Sequence, residues 1–269
     1  MKIFKDKKSL IKEISNYKNL SFVPTMGSLH KGHISLIKKA KKKRGKIIVS
    51  IYVNPKQFNS KTDFKKYPKN LTKDLKILKK EKIDYLYLPS TNDIYNFRSN
   101  LPIYLHRFSK KLCGKFRPGH FKGVVNVVNR FLQIIKPRYM FLGIKDLQQL
   151  ILLKLHVIKN NIKTIIIPCN TIRSSSGIAL SSRNARLNNN QKKIASKVVK
   201  FLKKNKFKLI KNNSYNLKKN LINKIINLGV DKVDYLEAIN IKKFNVIKNF
   251  KDKIFIAYHL GNVRLIDNL

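Results

Sequence analysis

Acidic residues are scarce in this chain. Only 13 Asp and Glu stand against 60 Lys and Arg, a formal net charge of +47 over 269 residues. Tryptophan is absent and there are two cysteines. Cys113 and Cys169 lie far apart without metal-ligand spacing, so they read as reduced, structural thiols rather than a disulfide framework or a zinc site. No apolar run reaches the roughly 18–20 residues that a membrane helix needs. The N-terminus continues into lysines instead of an apolar signal core, which makes the expected location cytoplasmic and membrane-free. No internal repeat is present. A hydrophobic fraction of 43% is enough for a packed core and argues against disorder.

The positive charge suggests nucleic acid or a membrane surface as a partner. Its distribution argues otherwise. Ten of the 60 basic residues are Arg, which leaves 50 Lys, spread along the whole chain. Asn and Ile are also abundant, and all three residues have A/T-rich codons, as expected for a compositionally biased genome. With no Trp and no nucleic-acid module, a specific nucleic-acid partner is not expected, although the charge would attract small anionic substrates.

Apolar and helical periodicities alternate through the first two thirds. Strands are predicted at 46–53, 85–88, 139–142 and 162–167, and helices at 71–82, 123–135 and 145–159. This order argues for an α/β fold, a doubly wound parallel sheet with ligands at the carboxyl ends of its strands. After residue 171 the texture changes. A Ser/Asn-rich loop at 171–190 leads to helices at 192–204 and 216–228 and strands at 233–239 and 253–259. The predicted division is therefore 1–171 for the larger domain and 172–269 for a smaller α+β domain.

The chemistry-bearing segments follow the strands. The most informative is P-T-M-G-S-L-H-K-G-H at 24–33, entered from an apolar run at 20–23 and left through an amphipathic run at 34–44. That order reads as strand, tight turn, helix. Gly27 and Gly32 permit close backbone approach, and a helix start supplies free N–H groups for an anion. His30 and His33, spaced i and i+3, share one face of the first turn. A second segment, N-P-K-Q-F-N at 54–59, offers Gln57 as a donor and acceptor suited to a hydroxy acid. A third, G-I-K-D-L-Q-Q at 143–149, offers Gly143 for backbone approach, Lys145 for phosphate and Asp146 for ribose hydroxyls. A fourth, L-S-S-R-N at 180–184, places Ser181, Ser182 and Arg183 on a flexible loop suited to a triphosphate. A fifth, C-G-K-F-R-P-G-H-F at 113–121, is a Gly/Pro loop that suits either a substrate contact, a dimer face or plain structural need.

Together these segments, with R-L-I-D-N at 264–268, resemble the pantothenate synthetase (pantoate–β-alanine ligase) family. Six family motifs occur in family order over nearly the whole chain. The resemblance implies a Rossmann-like nucleotidyltransferase domain with a C-terminal lid domain, and a homodimer. It implies ATP-dependent activation of (R)-pantoate as pantoyl adenylate, then attack by β-alanine to release AMP. Carried over by position, Met26, Gly27, Ser28, Leu29, His30, Lys31, Gly32 and His33 would contact ATP, with His30 and His33 catalytic. Gly143, Ile144, Lys145, Asp146, Ile172, Leu180, Ser181, Ser182 and Arg183 would complete the ATP site. Gln57 and Gln149 would hold pantoate, and Gln57 would also lie near β-alanine. Mg²⁺ should accompany the phosphates, with Asp74 as its acidic partner unless Asp74 is a solvent-facing helix acid. Three positions depart from the family pattern: Ile144 stands for a Glu, Phe116 for a small polar residue and Asn262 for an Asp. None removes a residue needed for the chemistry. Another adenylyltransferase of the same superfamily is the nearer alternative, and a non-catalytic nucleic-acid-binding protein the more distant one.

Overall fold

The computed structural model describes residues 1–247 and 252–269. In chain order its elements are β1 (Lys2–Phe4), α1 (Lys7–Ile14), β2 (Leu20–Thr25), α2 (Lys31–Lys41) and β3 (Lys46–Ile51). A 3₁₀ turn at Pro55–Gln57 precedes α3 (Lys61–Lys65), α4 (Leu71–Lys80), β4 (Tyr85–Tyr87) and α5 (Thr91–Tyr95). Then come α6 (Cys113–Phe116), α7 (His120–Ile135), β5 (Tyr139–Gly143), α8 (Leu147–Lys159) and β6 (Ile165–Cys169). The remainder holds α9 (Asn189–Lys211), α10 (Tyr215–Asn227), β7 (Lys232–Ile239), β8 (Lys253–Leu260) and β9 (Val263–Asn268). Among the described residues no helix is long and apolar enough to cross a membrane.

The chain divides into two units: 1–144 with 148–170, and 145–147 with 171–269. The first is built on a six-stranded sheet in the order β1-β4-β3-β2-β5-β6. Every pairing in it is parallel. The chain runs outward from β2 through β3 to β4, then returns to place β5 on the other side of β2. The carboxyl ends of β2 and β5 therefore flank the topological switch point, where α/β sheets bind ligands. One sheet face packs Val23, Val49, Leu86 and Phe141 against Leu36, Ile37 and Ala40 of α2 and Leu78 of α4. On the other face Phe131 of α7 sits 5.4 Å from Phe22, 6.3 Å from Tyr52 and 6.1 Å from Tyr87, ring centre to ring centre. These strands are buried on both faces, which is why they read as continuous apolar runs and not as alternating ones.

The second unit is a three-stranded antiparallel sheet, β7-β8-β9. It packs Leu236, Ile256, Tyr258 and Leu265 with Val198 and Leu202 of α9 and Leu221 and Ile225 of α10.

Several predicted bounds shift for local reasons. The helix expected at 192–204 spans Asn189–Lys211, because Asn188 and Gln191 form a reciprocal capping box at its start. The strand expected from residue 162 begins at Ile165, because the Ile162 amide still closes α8 on the Val157 carbonyl. Helix α8 starts at Leu147, since residues 144–146 form a 3₁₀ turn. The short, lysine-rich β1 and α1 carry too little apolar pattern to be read from sequence, and β9 lies inside a segment read only as a motif.

Candidate active site

The turn after β2 is held by two side chains. The Thr25 hydroxyl donates to the Ser50 carbonyl on β3 at 2.8 Å and accepts from the Gly27 amide at 3.2 Å. Gly27 and Ser28 then adopt φ of +77° and +50°, a left-handed pair that needs external support at the non-glycine position. Asp74 supplies it. One carboxylate oxygen accepts the Ser28 amide at 2.8 Å and the other the Leu29 amide at 2.7 Å. Asp74 is only 2% exposed, and burial pushes its pKa up against the opposing effect of those two amides. This corrects one sequence reading of Asp74: it is not solvent-facing, and its two oxygens accept loop amides. Among the described residues no three His, Cys, Asp or Glu side chains gather as a metal site.

His30 and His33 do more than share a helix face. His30 is the N-cap of α2, its Nδ1 accepting the Gly32 amide at 3.0 Å. His33 Nδ1 accepts the His30 amide at 3.3 Å, closing a capping box made of two imidazoles. The rings lie 4.1 Å apart. Because each Nδ1 accepts, each ring in this geometry carries its hydrogen on Nε2. The site thus holds two neutral imidazoles whose N–H donors lie on the ring edges away from the cap. A Cβ at position 32 would stand 2.7 Å from His30 Cε1, so any larger residue would push the capping imidazole aside.

Gln57 comes to the same sheet edge from the turn after β3. Its amide donates to the Met26 sulfur at 2.9 Å and accepts from Asn54 Nδ2 at 3.3 Å. Asn54, fully buried, also accepts the Tyr95 hydroxyl at 3.0 Å, and burial pushes that phenol up to about 12. The first two motifs are therefore joined through Met26 and Gln57. The fifth motif belongs with them. Residues 117–123 pack on the Gln57 loop, and Gly123 approaches so closely that a Cβ would lie 2.1 Å from the Lys56 carbonyl. Asn54, Arg117 and His120 are site-forming residues whose contacts the sequence does not specify.

Gly143 ends β5, paired with Cys169, beside the switch point. The two glutamines that follow differ in their surroundings. Gln148 is buried, its oxygen accepting the Cys113 amide at 3.1 Å and its nitrogen donating to the Phe108 and Lys111 carbonyls at 2.9 and 2.7 Å. Gln149 is half-buried, the one of the pair suited to a ligand. Ile144 is half-buried as well.

Lys145 and Asp146 group with the second unit. They form an ion pair at 3.4 Å, and the Lys145 carbonyl accepts the Asn268 side chain at 2.8 Å. The loop predicted to be flexible carries local order. Arg173 and Ala179 form an antiparallel bridge, and the Leu180 amide donates to the Ile172 carbonyl at 2.9 Å. Ser181 caps a 3₁₀ turn at Ser182–Arg186, which includes Arg183. Arg173 anchors this hairpin by a bidentate pair with Asp267 at 2.6 and 2.8 Å. The closing R-L-I-D-N motif thus holds both segments of this unit that carry candidate phosphate ligands.

Comparison with known proteins agrees with this architecture. The sequence model of the pantoate-beta-alanine ligase family matches residues 2–269. The pantothenate synthetase of Fervidobacterium nodosum is 39% identical, the match covering 97% of this chain and 95% of that one. The pantothenate synthetase of Francisella tularensis subsp. novicida is 43% identical over 97% of this chain and 91% of its own. The crystal structure of pantoate-beta-alanine ligase from Francisella tularensis, complexed with beta-gamma ATP and beta-alanine, superposes with a TM-score of 0.86 at 40% identity, covering 100% of this chain and 97% of that one. Pantothenate synthetase from Thermus thermophilus superposes with a TM-score of 0.83 at 26% identity, over 100% and 99% of the two chains. A chain matched from end to end, with its histidine cap and Gln57 at the switch point of a parallel sheet, belongs to the pantoate–β-alanine ligase family.

Proposed function

We propose that this protein joins pantoate and β-alanine into pantothenate at the expense of ATP. In the first step a carboxylate oxygen of (R)-pantoate attacks the α-phosphorus of ATP. The bond to the β-phosphate oxygen breaks, and pyrophosphate leaves with its electrons. In the second step the β-alanine amine attacks the acyl carbon of pantoyl adenylate, AMP departs, and the amine proton passes to solvent. No side chain forms a covalent bond. The protein's contribution is placement and stabilisation of phosphate charge.

The roles follow from residue chemistry. His30 and His33 donate from Nε2 to phosphate oxygens as charge builds at the α-phosphorus. Met26, Gly27, Ser28, Leu29, Lys31 and Gly32 form the loop and helix start that receive ATP. Gly143, Ile144, Ile172 and Leu180 offer backbone to the nucleotide, and Asp146 accepts from ribose. Lys145, Ser181, Ser182 and Arg183 hold phosphates. Gln57 and Gln149 hold pantoate, with Gln57 also near β-alanine. Mg²⁺ would accompany ATP as part of the substrate and offset phosphate charge, with Asp74 as its acidic partner. Residues 1–171 serve nucleotide and pantoate, residues 172–269 act as the lid, and the enzyme works as a cytoplasmic homodimer.

The observation that carries this reading is the pair of Nδ1-capped imidazoles that follow Met26, whose sulfur accepts from the Gln57 amide. Two fixed donors on a turn joined to a glutamine amide support phosphate and hydroxy-acid binding together, which a plain nucleotide-binding loop does not need. The test is AMP release by the purified protein. Release that requires both pantoate and β-alanine supports the reading, and release without pantoate refutes it.

A further inference from the structure

Gln57 is held at both ends. Its side-chain amide meets Met26 and Asn54, while its backbone carbonyl turns to the start of α7. That carbonyl accepts from His120 Nδ1 at 2.7 Å and from Arg117 Nη2 at 3.2 Å. Arg117 Nη1 lies 3.0 Å from His120 Nε2. Arginine can only donate, so Nε2 is the acceptor and Nδ1 carries the hydrogen. A single neutral tautomer of His120 satisfies both contacts, and a doubly protonated ring would set two N–H groups head on.

The surroundings hold this arrangement in place. The His120 amide donates to the Arg117 carbonyl at 3.1 Å, a turn through Gly119 at φ +79° that brings both side chains to one carbonyl. Asn54 Nδ2 donates to the Gly123 carbonyl at 3.2 Å, and Asn59 Nδ2 donates to the Pro118 carbonyl. His120 and Gln57 are each 9% exposed. Apolar packing alone would need neither two donors on one carbonyl nor a defined tautomer.

We propose that His120, oriented by Arg117, is a positioning residue for the acid substrate. By fixing the Gln57 carbonyl it sets where the Gln57 amide meets pantoate, and it touches no reacting atom itself. The proposal rests on the reading of Gln57 as a pantoate-binding residue. It deepens that reading, because it makes the R-P-G-H motif part of acid-substrate selection and leaves nucleotide binding apart.

The test compares His120→Ala, His120→Asn and His120→Gln in the full chain, with AMP release measured while each substrate is varied and with unfolding midpoints taken alongside. Asn can return a donor near the Nδ1 position, and Gln extends its donor toward the Nε2 position. The expected result is a rise of about tenfold in the pantoate KM for Ala and for Gln, recovery to within about threefold for Asn, and an ATP KM that changes less than about twofold throughout. An unchanged pantoate KM in the Ala variant overturns the proposal. So does an equal loss over all substrates, or a Gln variant that recovers as well as Asn. Should the Ala variant not fold, the contrast between Asn and Gln decides. Wild-type protein in the same assay separates the two claims: without pantoate-dependent AMP release the functional reading falls and this proposal with it, whereas a normal wild type leaves the variants reporting on His120 alone.

Discussion

Replacing Asp74 by Ala removes the support from the turn that carries the histidines. The carboxylate accepts a half-buried backbone amide at 2.8 Å and a buried one at 2.7 Å. Hydrogen bonds to a charged group contribute roughly 1.5–3 kcal/mol each, and the amides left behind lose their partners. Against this, the variant no longer keeps a desolvated carboxylate, the burial that raises the Asp74 pKa. Two bonds less that relief give a loss of about 2–4 kcal/mol, or an unfolding midpoint lower by roughly 5–15 °C for a unit of this size. The activity should fall further than stability alone dictates, because Ser28 at φ +50° relaxes once unsupported and His30 follows two residues later. A ten- to hundredfold lower kcat/KM for ATP in folded protein, roughly 1.4–2.7 kcal/mol, is the expected outcome. Asp74→Asn keeps one acceptor and turns a donor toward the other amide, so it should fall between wild type and Ala. Thermal unfolding and steady-state AMP release provide both numbers. An Ala variant with wild-type midpoint and wild-type kcat/KM would show that Asp74 does not hold the turn.

Three further outcomes follow from the same geometry. His33→Ala should lower kcat/KM by about 10²–10³, the range for loss of one charge-stabilising donor, and near-normal formation of pantoyl adenylate would contradict the role. Gln149→Ala should raise the KM for pantoate more than that for ATP at unchanged stability, whereas Gln148→Ala, which loses three hydrogen bonds, should cost roughly 1.5–4 kcal/mol of stability; the reverse pattern would exchange their assignments. His156 is fully buried, accepting the Tyr104 amide at 3.3 Å and facing the Asn129 side-chain oxygen at 3.1 Å, and burial lowers its pKa below 6.5. The unfolded chain therefore takes up a proton that the fold refuses. Stability should fall as pH drops through 6.5, by up to about 1.4 kcal/mol per pH unit until the folded value is reached, and His156→Gln should remove that part of the slope.

How much of this is legible in the sequence depends on where the interactions lie. The buried strands β2, β3 and β5 announce themselves as apolar runs, and the motifs after them mark the sheet edge. The short β1 and α1 do not, because three strand residues and a lysine-rich helix carry little periodicity. Among the proposed site residues, Gln57 and the two histidines stand out in the sequence because their residue types imply donors near an anion. The turn-holding contacts of Asp74 are not legible because its partners are backbone amides 45 and 46 positions earlier, a contact that no local pattern records. The job of R-P-G-H stays open in the sequence for the same reason. Its target is the Gln57 carbonyl, and a carbonyl has no residue identity to read. The resemblance to a family names the chemistry, while the tautomers of His30, His33 and His120 come only from hydrogen-bond geometry.

The central claim is that a pantoate oxygen attacks the α-phosphorus of ATP. Pantoate labelled with heavy oxygen in its carboxylate tests it most directly. One labelled oxygen per turnover should appear in AMP, with pyrophosphate unlabelled. Label appearing in inorganic phosphate, with ADP as the nucleotide product, would mean attack at the γ-phosphorus and would contradict it.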